Sequence, residues 1–137
     1  MADAIDFCRE KLSLPEFKDS QATCKFIRII DRLFDICNSK NPFGRGYKAA
    51  MRPTNEIVIK NFFLTAESYL RNLSDLQGRK LVSSPRKTAF LGFIVNMHSF
   101  VHLFNSLVKQ NKLQYLLTYK CSQDHLELFF RGDLNNT

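Results

Sequence analysis

Residues Ala89 to Val108 read AFLGFIVNMHSFVHLFNSLV, twenty residues without a formal charge, and the fold turns on how this run is taken. A stretch this long and apolar suffices for one bilayer crossing. Its polar members, however, recur at Asn96, Ser99, His102 and Ser106, spacings of three and four that draw one stripe along a helix. A helix in a protein core tolerates such a stripe better than a lipid-facing span does. The run is therefore read as a central buried helix from about Lys87 to Lys109, with no membrane partner.

On its N-terminal side, GRKLVSSPRK is a basic linker, and a helix starts near Thr54 or Asn55, both good caps, and runs to about Leu73 before Gly78 stops the chain. Further back, NSKNPFGRGYKAAMRP holds two prolines, two glycines and a cluster of cations, the composition of a loop. Gln21 to Ser39 is the clearest amphipathic helix. Its apolar positions are Phe26, Ile30, Leu33 and Cys37, with Ile27 and Phe34 beside them, while Lys25, Arg28, Arg32 and Asp35 face elsewhere. A first helix covers about Ala2 to Leu12, and SLPEF follows with Ser13 as cap, Pro15 in the first turn and Glu16 at the capping-box position. On the C-terminal side, LQYLLTYK has the aromatic and Thr content of a single short strand, Tyr115 to Tyr119. SQDHLELFF then resumes a helical pattern with Ser122 as cap. The expected fold class is mainly α, a single helical domain with at most one short strand near the C-terminus.

The chain has 137 residues, 45% of them apolar, enough for a core. Lys and Arg number 20 against 13 Asp and Glu, a formal charge of +7, which suits an anionic partner such as nucleic acid or nucleotide and, on charge alone, equally a merely soluble basic domain. Cys8, Cys24, Cys37 and Cys121 lack CxxC spacing, and the first three fall among apolar residues as reduced thiols do. MADAIDFCREKL carries acids and bases throughout, so a secretory leader is not expected. A nuclear or cytoplasmic location follows.

The candidate chemistry is sparse. Asp124 and Glu127, at i and i+3, present two carboxylates on one helical face, a pair able to meet a ligand or cation; they are equally the acids that stabilise a helix N-terminus, with His125 on the surface. His98 and His102 at i and i+4 have zinc-compatible spacing, but no third ligand and no HExxH accompany them, and they fit the polar face of the long helix. GRGYK at Gly44 to Lys48 matches no phosphate-binding loop motif. A nucleotide site here has to combine a stacking aromatic, a carboxylate for a base edge and cations for phosphates. Phe34 and Asp35 with Lys40, Arg45 and Lys48 supply such a set, although pattern alone places Phe34 in the core.

Three stretches, ATCKFIRIIDRLFDICNSKNPFGRGYK, RKTAFLGFIVNMHSFVHLFNSL and YLLTYKCSQDHLELFF, together resemble P-element-type DNA transposases, the family that includes the THAP-domain transposases. The resemblance covers nearly the whole chain in the family's order. It implies a helical GTP-binding insertion domain over residues 1–114, which in the family interrupts an RNase H-like catalytic domain, and over 115–137 the return strand and helix of that domain. Phe34 and Asp35 in RLFDICNS match the family's guanine-contacting pair, Asp124 a second carboxylate that reads guanine, and Glu127 the metal-binding acid of the catalytic triad. Guanine presents N1–H and its exocyclic amine as adjacent donors, which an acceptor-only carboxylate selects over adenine. The family uses GTP to organise the DNA complex without needing to hydrolyse it, so a missing P-loop is expected.

The departures bear on activity. Strand transfer of the RNase H type needs several carboxylates around two Mg²⁺ ions, and the others would lie upstream of Met1. Mg²⁺ is thus implied only for a complete transposase. On this reading a THAP domain is not expected in the chain, and after ELFF the sequence reads RGDLNNT. The expectation is a truncated or domesticated fragment that binds guanine nucleotide, has no enzymatic turnover as an isolated chain, and binds DNA weakly and non-specifically through 40–52 and 79–87. Other expected partners are a protein or a full-length transposase homologue. The alternative is a non-enzymatic protein- or DNA-interaction module without nucleotide binding.

Overall fold

The computed structural model describes residues 1–121; the expected C-terminal helix, with Ser122, Asp124, His125 and Glu127, lies outside them. Four helices carry the described chain: α1 (Ala2–Glu10), α2 (Gln21–Cys37), α3 (Glu56–Asn72) and α4 (Lys87–Leu103). The fold is mainly α, as the periodicity indicates. The chain divides into two compact units, Met1–Asp35 and Ile36 onward.

In the first unit, α1 starts with Asp3 and ends with Arg9, charges that suit the two ends of the helix dipole. It is tied to α2 by an ion-pair cluster. Arg28 donates to Asp3 at 2.7 Å and to Asp6, and Arg9 donates to Asp6 and, at 3.3 Å, to the Ser20 hydroxyl. The Arg28 guanidinium, with Arg9 adding to it, holds the Asp6 carboxyl below the usual carboxylate range. Ser13 does not cap a helix. It sits at φ 51, and the short 3₁₀ turn Pro15–Phe17 starts from Leu14 instead.

The buried line of α2 is Cys24, Ile29, Leu33 and Ile36, rotated from the expected one, and Phe34 is 52% exposed rather than core. Two neighbouring apolar rows compete on this helix, and the row through Ile29 and Ile36 is the one covered.

In the second unit, α3 buries Ile59, Phe62, Phe63, Ala66 and Leu70. It packs on α4, whose buried stripe is Ile94, Met97 and Phe100, continued by Phe104 and Val108 in a π-helical turn, Phe104–Val108. The central-helix expectation is corrected in one respect. This helix is long and apolar enough to cross a membrane, yet it is buried along one stripe only: Val95 is 61% exposed, and Asn96, Ser99, His102 and Ser106 are exposed or half-buried. Burying each large apolar side chain stabilises by about 1.5–3 kcal/mol, so that single stripe suffices to dock the helix on α3. A Glu56 carboxylate shared by Lys60 at 2.6 Å and Lys109 at 2.7 Å pins the start of α3 to the end of the long helix.

No strand forms among the described residues. The run expected as a strand makes a single antiparallel pairing, Met51 with Leu116, through N–H···O bonds of 3.0 and 2.9 Å, and then turns into a 3₁₀ segment, Thr118–Cys121. Asn55 does occupy the cap position of α3, but its amide serves the preceding loop, accepting from Arg52 N–H at 2.8 Å and donating to the Ala50 carbonyl at 2.9 Å. The four cysteines are unpaired, Cys24 buried and Cys121 exposed. Burial pushes the Cys37 thiol up to about 11, which makes it a packing group rather than a nucleophile.

Candidate nucleotide and nucleic-acid interface

Phe34 and Asp35 occupy the last turns of α2. Phe34 presents its ring to solvent and Asp35 is half-buried. A half-exposed aromatic ring followed in sequence by a carboxylate, an acceptor-only group, is what this end of the helix presents. Both residues fall in the first unit, whereas Lys40, Arg45 and Lys48 fall in the second. Asp124 and Glu127 lie outside the described residues.

The three cations sit on a loop built from its own backbone. Asn41 accepts the Phe43 N–H on its side-chain oxygen at 2.9 Å and the Gly44 N–H on its carbonyl at 3.0 Å, closing a tight turn at Pro42–Phe43. Gly44 is required here, because a Cβ would run into the Lys48 carbonyl, whose carbon would stand 2.9 Å away. The buried Ser39 hydroxyl donates to that carbonyl at 3.0 Å, and the Arg52 guanidinium donates to the Pro42 carbonyl at 3.0 Å while stacking on Tyr115 at 4.4 Å. Buried Ala50 and Met51 anchor the far end. Lys40 and Lys120 both lie over the Tyr119 ring, at 5.7 and 5.0 Å from its centroid. Lys40, Arg45 and Lys48 are exposed, and none is pulled into the core.

Three members of this face were not singled out by sequence reasoning. Phe43 is 87% exposed, and Tyr115 and Tyr119 each carry a cation on the ring. The proline and glycine flanking Phe43 were the available signal, since they mark a turn whose central side chain has nowhere to bury.

The two histidines of α4 do not form a metal site. His98 Nε2 lies 3.0 Å from Glu67, His102 is exposed, and among the described residues no three His, Cys, Asp or Glu side chains converge. Arg71, with His98 beside it, holds the Glu67 carboxyl below its usual range. The second basic segment, 74–87, borders a recess of about 420 Å³ lined by Asp75, Arg79, Ser84 and Arg86 among others.

A family model described as TNP-like, GTP-binding insertion domain matches residues 1–50, a span that contains Phe34, Asp35, Lys40, Arg45 and Lys48. The chain is 37% identical over 133 residues, 96% of its length, to the DNA transposase THAP9 of Homo sapiens. It is 26% identical over 116 residues, 84% of its length, to the transposable element P transposase of Drosophila melanogaster. The chain spans 15% of the length of each of these relatives, and no solved structure matches it. It is thus a relative of DNA transposases. More narrowly, it is related to the P-element-type family, in the region that holds the GTP-binding insertion domain.

Proposed function

We propose that this chain is a guanine-nucleotide-binding module of the P-element type, in which Asp35 and Asp124 accept hydrogen bonds from the base, Phe34 packs beside it, and Lys40, Arg45 and Lys48 serve the phosphates. The observation that carries the reading is the exposed Phe34 next to Asp35, inside the stretch that matches a GTP-binding insertion domain. A core aromatic would have no such role. Residues 1–114 form the insertion-like part in this reading and 115–137 the return segment of an RNase H-like domain. Glu127 is the one family metal-binding acid. Mg²⁺ would supply strand-transfer chemistry only with further carboxylates, and the chain by itself has no turnover. The four unpaired thiols suit a reducing compartment, nuclear or cytoplasmic.

DNA is the second anionic partner, met through phosphate contacts from 40–52 and 79–87 that are weak, non-specific and salt-sensitive. Calorimetric titration with GTP and ATP tests the nucleotide reading. GTP is expected to bind at least about tenfold more tightly than ATP, as loss of one charged hydrogen-bond partner to the base predicts, and Asp35→Ala is expected to remove that preference. Equal affinities for the two nucleotides, or GTP binding unchanged by Asp35→Ala, leave a protein-interaction module in its place, with a full-length transposase homologue as the partner to examine.

A further inference from the structure

Phe43 is a large ring held 87% exposed on a turn that its neighbours fix: Asn41 caps the turn, Arg52 grips the Pro42 carbonyl and Gly44 admits no side chain. Leaving such a ring in water costs the free energy its burial would give, and the surroundings here hold it out rather than fold it in. Those surroundings are cationic. From Ile36 to Asn55 the sequence contains no acid. Lys40 and Lys120 flank one tyrosine ring, and they and Arg45 have no acidic partner among the described residues. Two ammonium groups held at 5.7 and 5.0 Å from one ring centroid put two cations in reach of one polyanion.

We propose that 39–52 and 115–120 together form a binding face for single-stranded nucleic acid, with a base stacked on Phe43 and backbone phosphates paired with Lys40, Arg45 and Lys120. A projecting aromatic among cations is what a single strand uses, because its bases have free π-faces. A duplex hides those faces, and among the described residues no α-helix lies in 39–52 or 115–120 to enter a groove. Stacking and phosphate pairing do not depend on a 2′-hydroxyl, so DNA and RNA single strands share the chemistry. The inference deepens the nucleic-acid part of the proposed function. It shares Lys40 and Arg45 with the guanine site but needs nothing from Phe34 or Asp35, so substitutions at Phe43 and at Asp35 tell the two apart.

Fluorescence anisotropy of the full chain with labelled oligo-dT, oligo-rU and a mixed-sequence duplex tests it. Phe43→Ala is expected to weaken oligo-dT binding about 10-fold, the size of one lost base stack, while duplex binding changes less than about twofold. Because the ring is exposed, the melting temperature is expected to stay put. Phe43→Trp restores the affinity and Phe43→Leu does not, since leucine matches the apolarity but not the π-face. Replacing Lys40 and Lys120 together by Gln is expected to weaken all three ligands and to flatten the salt dependence. A Phe43-dependent loss with either polymer supports the face, and the polymer that loses most is its ligand. Unchanged single-strand affinity in Phe43→Ala, or full binding in Phe43→Leu, overturns it. A GTP titration of Phe43→Ala is expected to match the wild type, which keeps this result apart from that of Asp35→Ala.

Discussion

Two basic segments flank α3, 39–52 before it and 74–87 after it. In sequence they look alike, each a proline- and glycine-bearing loop rich in cations; in the structure they differ in what those cations do. In 74–87, Arg79 is closed onto Asp75 at 3.0 Å, and Lys80 reaches the Asn72 carbonyl at 3.1 Å and its side chain at 3.4 Å. Half the charge is spent locally. In 39–52 Arg52 is likewise held by the Pro42 carbonyl, while Lys40 lies on a tyrosine ring and Arg45 is exposed, and the anchoring falls to buried Ser39, Ala50 and Met51. Charge counted along a sequence is therefore a poor measure of charge available to a partner.

The contrast in anchoring sets the largest expected effect. Met51 is fully buried and is the residue paired with Leu116, so Met51→Ala is expected to lower stability by about 2–5 kcal/mol in urea denaturation, with the loss concentrated where 39–52 meets 115–120. Nothing in 75–83 has a comparable anchor. Leu76 is fully exposed, and truncating it is expected to cost less than about 0.5 kcal/mol. If the two truncations proved equal, the first loop would be no better fixed than the second, and a rigid Phe43 platform would lose its basis.

How much of this was legible in the sequence varies with the range of the interaction. The helices were readable because a 3.6-residue period is local, and the resemblance carried by RLFDICNS was readable because the motif is contiguous. Phe34 was misplaced because α2 offers two adjacent apolar rows, and only tertiary packing decides that Ile29 and Ile36 go under. The strand at 115–119 was read from aromatic and Thr content, but a strand needs a partner ladder, and Met51 alone answers Leu116. Long-range pairing was invisible as well. Arg28 reads as one more cation on a helix face until Asp3 and Asp6, more than twenty residues earlier, are brought to it. Exposure of Phe43 belongs to the same class, since it is the rest of the fold that declines to cover it.

A glycine in each loop tests the comparison at intermediate strength. Gly44 has an ordinary backbone conformation but no space, with the Lys48 and Asn41 carbonyls against it; Gly78 has space but sits at φ +78. Gly44→Ala has to displace backbone and is expected to cost about 1–3 kcal/mol. Gly78→Ala meets only left-handed strain of about 1 kcal/mol. The same urea titration reads both. The ordering matters more than the values, because a larger cost at Gly78 would mean that 74–87 is the more tightly determined loop.

The smallest effect separates the loops by pH. Asp75 accepts the Gln77 and Arg79 N–H groups, both at 2.9 Å, on one carboxylate oxygen and the Arg79 Nε at 3.0 Å on the other. The Arg79 backbone N–H is the largest influence holding this carboxyl below its usual range. For an acid whose pKa is lower in the folded state, the stabilisation is fully present above the unfolded value near 3.9 and is lost as pH falls through the lowered one. The turn 75–79 is therefore expected to stay closed at neutral pH and to loosen only in strong acid, with the Gln77 and Arg79 amide resonances moving together in an NMR titration. Segment 39–52 contains no carboxylate, so its Phe43 and Gly44 amides are expected to stay fixed over the same range. Asp75→Asn should abolish the movement at Gln77 and Arg79. A matching movement at Phe43 would mean that an acid from elsewhere in the chain reaches the first loop, and the cations counted there as available would already have a partner.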